Sequence, residues 1–187
     1  PINTFAKYFD ATDAGKVRVV EQVLSPGQDY YWGLRNTLAE THWLSDDISS
    51  FEAAIDGMLD RVKNATQREH YRKLAEGYIQ FWEKHPGAHV FSVPIVSTEI
   101  ADLPIRVNTE VGMAYRGEYF ALKLFFRAAP PTKKYRQATQ FVTALARGRG
   151  WNPNWQATLL DVRQGIRHHE MPLPRRFELA IAAQAAG

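Results

Sequence analysis

Glu110 and Lys123 are the two side chains of this 187-residue chain whose types and spacing invite chemistry. They lie in the stretch 105–127, IRVNTEVGMAYRGEYFALKLFFR. It reads as two long antiparallel strands joined at Arg116-Gly117. A two-residue loop there sets Tyr115 against Glu118, Gly112 against Ala121, Glu110 against Lys123 and Asn108 against Phe125. One face of this ribbon collects Ile105, Val107, Val111, Met113, Phe120, Leu122, Leu124 and Phe126 and is core. The other carries Glu110 and Lys123 beside the small residues Gly112 and Ala121, which leave room for a helix, a ligand or a phosphate backbone to approach. A carboxylate next to a lysine has two readings. One is a cross-strand ion pair, worth a few tenths of a kcal/mol up to about 1 kcal/mol. The other is a metal-holding carboxylate beside a lysine that orients or polarises an attacking water.

The elements that must position this pair follow from periodicity. Asp29 is a candidate cap for a helix with Tyr31, Leu34, Leu38 and His42 on one face. Ser49 or Ser50 starts a second, with Phe51, Ile55, Met58, Leu59 and Val62 inward. A third spans 67–85, with Tyr71, Leu74, Tyr78, Phe81 and Trp82 inward, and ends at His85-Pro86-Gly87. The pattern then changes to period two. HVFSVPIVST is a first strand, edge or bulged because of Pro94. The ribbon supplies two more strands. Thr132 caps a fourth helix over 133–147, closed by Gly148 and Gly150. WQATLLDVRQGIRHHE gives a further strand, with a hairpin around Gln164-Gly165. A last helix is expected over 175–186. It has no convincing cap before Gly187, so the chain is expected to run on. The reading is an α/β fold, a small mixed β-sheet of four or five strands flanked by helices, with a helical N-terminal region over 1–64 and an α/β core over 65–187.

Composition bounds the partners. Apolar residues make up 45% and aromatic residues 12%, enough for a buried core, and there is no cysteine for a disulfide or a thiolate metal site. No apolar run approaches the roughly 18 residues a membrane span requires, and no secretory signal is visible. The expected location is cytoplasmic. Residues 1–126 carry 13 basic and 17 acidic side chains, whereas residues 127–187 carry 10 and 3. A basic last third points to an anionic partner, nucleic acid first, or to a solvated face with none. Lys133, Lys134 and Arg136 at a helix start, and Arg147 and Arg149 at its end, are candidate phosphate contacts.

The element order from residue 65, helix–strand–strand–strand–helix–strand, resembles the core of the PD-(D/E)XK nuclease superfamily, in particular its RecB-like branch. Ala121-Leu122-Lys123 falls where D/E-x-K stands in that family, and the lysine matches. Gln137-Ala-Thr-Gln-Phe141 is similar to the family's Q-x-x-x-Y. The resemblance covers about 120 residues and implies a nucleic-acid partner. An active member would use Mg²⁺, held by two or three carboxylates because it is a hard ion with oxygen ligands. Here Ala121 and Asn108 occupy acid positions, so the resemblance implies either a migrated site or a degenerate one. In the first case Lys123 and Glu110 are catalytic, and Glu110, Asp161 and Glu76 hold the metal. In the second, no cofactor is needed and the fold serves binding through Lys133, Lys134, Arg136 and Gln137. A non-catalytic protein-interaction subunit of a multi-component system is the alternative.

Two further constellations read as structural. Neighbouring His168 and His169 on a strand point to opposite faces and make poor joint ligands. Trp151 and Trp155 cap a core more readily than they stack on bases.

Overall fold

A computed structural model describes residues 30–44, 48–100, 103–147, 149–169 and 175. Three helices come first: α1 (Trp32–Leu44), α2 (Ile48–Arg61) and α3 (Ala65–Glu83). Helix α2 begins ahead of Ser49 and Ser50, which fall in its first turn. Helix α3 starts two residues earlier than its apolar periodicity indicates, because Asn64 supplies the cap: its side chain accepts a hydrogen bond from Gln67 N at 2.9 Å. The Asp29 cap, Gly148 and the final helix beyond Arg175 lie outside the described residues.

The strands are β1 (His89–Phe91), β2 (Val96–Ile100), β3 (Leu103–Val107), β4 (Val111–Tyr115) and β5 (Glu118–Phe125), followed by helix α4 (Lys133–Arg147) and then β6 (Trp155–Asp161) and β7 (Ile166–His168). They form a five-stranded sheet in the order β1-β4-β5-β6-β7 and a separate hairpin of β2 with β3. All neighbours in the main sheet are antiparallel except β5 and β6, which are parallel and joined by the α4 crossover.

The β4–β5 turn is the two-residue one that the sequence calls for. Arg116 and Gly117 both have positive φ, 52° and 81°, the geometry of a type I′ hairpin. The register follows, with Tyr115 opposite Glu118 and Gly112 opposite Ala121. The ribbon is shorter at its start than the alternating pattern suggests. It holds only from Val111 onward, and the expected Asn108–Phe125 pair does not form. The chain bends away at 108–110, and Leu103–Val107 pairs with Val96–Ile100 instead. The expected first strand is likewise split by the Pro94 loop into β1, on the edge of the main sheet, and β2, in the hairpin.

Two cores result. Helices α1–α3 pack on one face of the sheet, where Leu34, Leu38, Phe51, Leu74, Tyr78 and Phe81 meet Met113, Phe120, Leu122 and Leu160. The described part of the helical N-terminal region therefore shares its core with the sheet. Helix α4 and the β2–β3 hairpin cover the other face through Phe141, Leu145, Val96 and Val107 over Ala121 and Ala157. The space left by Ala121 and Gly112 is filled from within the chain: by α4 at Ala121, and by Phe91 at Gly112, where an added Cβ would lie 2.4 Å from the Phe91 carbonyl oxygen. Trp151 is buried, and its Nε1 donates to Pro94 O at 2.8 Å, so it caps this second core. Among the described residues no helix is long and apolar enough to cross a membrane.

Candidate functional site

The structure brings Glu110 and Lys123 together at the point where the chain leaves the main sheet. Glu110 N donates to Leu122 O at 3.2 Å, the last backbone bond between this segment and β5. The next amide along β5, that of Leu124, has lost its neighbouring strand. Glu110 supplies the missing acceptor: its Oε2 takes the Leu124 N–H at 3.0 Å. Its Oε1 takes the Lys123 ammonium and lies 3.3 Å from Arg35 Nε on α1. Lys123 also donates to Asn108 O at 3.1 Å, across the same gap. Lys123 alternates with Leu122 and Leu124, so it approaches from the α4 face; Arg35 approaches from the helical face. The carboxylate is thus bracketed from both sides of the sheet and is only 4% exposed, against 15% for Lys123 and 24% for Arg35.

Arg35 belongs to the site and was not legible from its sequence context. It is held by Phe126, over whose ring its guanidinium sits at 5.4 Å, while Tyr31, one turn earlier, stacks on the same ring at 5.2 Å. One signal existed in the sequence: an arginine next to Leu34 and four residues after Tyr31 falls on the inward margin of that helix. Tyr78, fully buried, lies near enough to feel the Glu110 charge. Burial pushes its phenol pKa up, and Glu110 pushes it further the same way, so it stays a neutral phenol.

The other carboxylates considered do not join Glu110. Glu76 projects from the exposed face of α3, while Leu74, Ala75, Gly77 and Tyr78 take the inward one. Asp161 is buried at the end of β6, where its Oδ1 accepts from Arg163 N at 3.1 Å and Gln164 N at 3.3 Å. It nucleates the β6–β7 turn, which Gly165 completes with φ 61°. Among the described residues no three His, Asp or Glu side chains converge as metal ligands. The Glu110 carboxylate faces two cations on one oxygen and an amide on the other. Mg²⁺ needs several oxygen ligands in octahedral array, and a lone carboxylate already neutralised by Lys and Arg does not fit it.

The candidate nucleic-acid contacts divide. Lys133 is exposed at the start of α4, whose first turn is capped by Thr132 Oγ1 accepting from Tyr135 N at 3.4 Å. The Lys134 side chain lies outside the described residues. Gln137 is half-buried, while Phe141, at the position of the motif's tyrosine, is core. Arg136 is half-buried with its Nε inaccessible and lacking an acceptor. It faces His168, whose pKa is lowered first by burial and next by Arg136, with Asp161 opposing. Arg147 is spent on structure, donating from Nε and Nη2 to Trp155 O at 2.9 and 2.6 Å. Arg149 is exposed just past the helix end. His169 is exposed whereas His168 is half-buried.

Comparison of the chain with family models, with curated proteins and with solved structures finds no match.

Proposed function

We propose that this chain is a nucleic-acid-associated protein whose core resembles that of the PD-(D/E)XK nucleases, and that it binds without cleaving. The observation that carries the reading is the state of Glu110. The carboxylate that stands beside the lysine is held by Lys123, Arg35 and the Leu124 amide, and among the described residues no three metal-ligating side chains converge around it. The order α3-β1-β4-β5-α4-β6, with β5 and β6 parallel across the helix, supports the family-like core, the β2–β3 hairpin being an insertion within it. The basic last third and the exposed Lys133 and Arg149 at the two ends of α4 support an anionic partner. Helix α4 has 15 residues, which at about 1.5 Å per residue separates these cations by roughly 20 Å, enough to engage phosphates several nucleotides apart.

The test is a fluorescence-anisotropy titration of labelled single- and double-stranded DNA and RNA with Mg²⁺ present, with the recovered strands sized on a gel. Binding that weakens roughly tenfold between 50 and 200 mM salt, as two or three phosphate contacts require, with uncut strands, is the expected result. Cleavage lost in Lys123→Ala would establish the enzyme instead.

A further inference from the structure

The helical face opposite α4 carries a groove of about 940 Å³ between α1 and the α2–α3 junction. Its rim holds the most exposed aromatic side chains of this region, Trp32 at 63% and Tyr30 at 45%, and Met58 and Val62 line it between them. Arg61 and Lys63 stand at its junction end, both exposed and, among the described residues, neither in an ion pair. Arg61 Nε is tied to Gly57 O at 3.0 Å, which orients the guanidinium and leaves its two terminal nitrogens as donors. Trp, Tyr and Arg around an apolar floor are the residue types that dominate the energetics of protein–protein contacts, and an unbranched Met adapts to the side chain it receives.

We infer that this groove docks a peptide segment of a protein partner, one bearing an apolar anchor followed closely by a carboxylate. The anchor lies against Trp32 and Met58, and the carboxylate meets Arg61 and Lys63, which form no ion pair among the described residues. Charge decides against a nucleic acid here. The exposed stripe of α2 is Glu52, Asp56 and Asp60, spaced four apart on one face, and Glu40 lines the groove itself. A polyanion crossing this end of the molecule meets four carboxylates, while a single acidic side chain reaches the two cations without crossing them. The inference does not depend on the nucleic-acid reading, since α4 lies on the other face of the sheet.

The experiment is selection of a phage-displayed random dodecapeptide library on the intact chain, followed by titration of the enriched peptides. Two variants are compared. Gly33→Tyr fills the groove, and an added Cβ there has nothing within 4 Å, so the helix tolerates it; the pair Arg61→Glu with Lys63→Glu reverses the charge. Enriched peptides are expected to combine an apolar residue with Asp or Glu, and to bind each variant at least tenfold more weakly. Oligonucleotide binding is expected to be unaffected by Gly33→Tyr, and peptide binding unaffected by Lys133→Ala. No enrichment, peptides without acidic residues, or affinity unchanged in both variants overturns the inference. So does loss of oligonucleotide binding in Gly33→Tyr, which would place nucleic acid in the groove.

Discussion

Removing the Glu110 carboxylate leaves Lys123 and Arg35 facing each other without their shared anion and leaves the Leu124 amide unpaired. Cross-strand pairs on open surfaces are worth up to about 1 kcal/mol. This one is 4% exposed on the acid side, and breaking a buried pair by deleting one partner costs far more than the pair's net worth. Glu110→Ala is therefore expected to lower unfolding free energy by about 3–5 kcal/mol, read from urea titration. Lys123→Met, which keeps the apolar stem and removes the charge, is expected to cost less, and the double variant less than the sum of the two. Full additivity would show that the carboxylate and lysine do not interact. That Glu110 adjoins Lys123 was legible in the sequence, because the Arg116-Gly117 turn fixes the register. That Arg35 joins them was not, because it depends on how α1 docks on Phe126, a contact between residues 91 positions apart in the chain.

At the scale of elements, Gly77 makes the sharpest prediction. Replacing a helical glycine by alanine normally stabilises by about 1 kcal/mol. Here an added Cβ would lie 2.2 Å from Val162 O and 2.7 Å from Arg163 O, both backbone atoms of the β6–β7 turn. Gly77→Ala is expected to destabilise by about 1–3 kcal/mol, and a stabilised variant in a thermal melt would show that α3 and this turn are not in contact. The hairpins at 116–117 and 164–165 and the crossover helix α4 were legible because each carries its own local signal: positive-φ turn residues, or a hydroxyl cap followed by a helical apolar stripe. The division of the stretch 105–127 between two sheets was not. Val107 and Val111 keep the same alternating phase across the bend, so the period-two pattern runs unbroken while the strand changes partners. Pro94 marks a break, but nothing local states that the residues after it would pair with 103–107.

At the scale of the whole molecule, two histidines tie stability to pH. His70 Nε2 accepts from Arg163 Nη2 at 2.8 Å, joining α3 to the β6–β7 turn, and its pKa is lowered by burial and by Arg163 and Lys73. His168 is lowered by burial and by Arg136. A histidine whose folded pKa is below its unfolded value of 6.5 binds fewer protons when folded. Its contribution to stability is complete above that value and is lost as pH falls through the folded pKa. The urea midpoint is expected to fall between pH 7.5 and pH 5, and less steeply in His70→Gln, which keeps an acceptor for Arg163 but cannot charge; an identical slope in that variant would remove His70 from the account. The central proposal, however, is association with nucleic acid without cleavage. Titrating a labelled oligonucleotide in Mg²⁺ across a salt series, for the parent chain and for Lys133→Ala, tests it most directly. The account predicts binding that weakens with salt, a log–log slope lower by about 0.7–0.9 in Lys133→Ala, and an intact oligonucleotide throughout. Absence of binding at low salt, or Mg²⁺-dependent cleavage that disappears in Lys123→Ala, would contradict it.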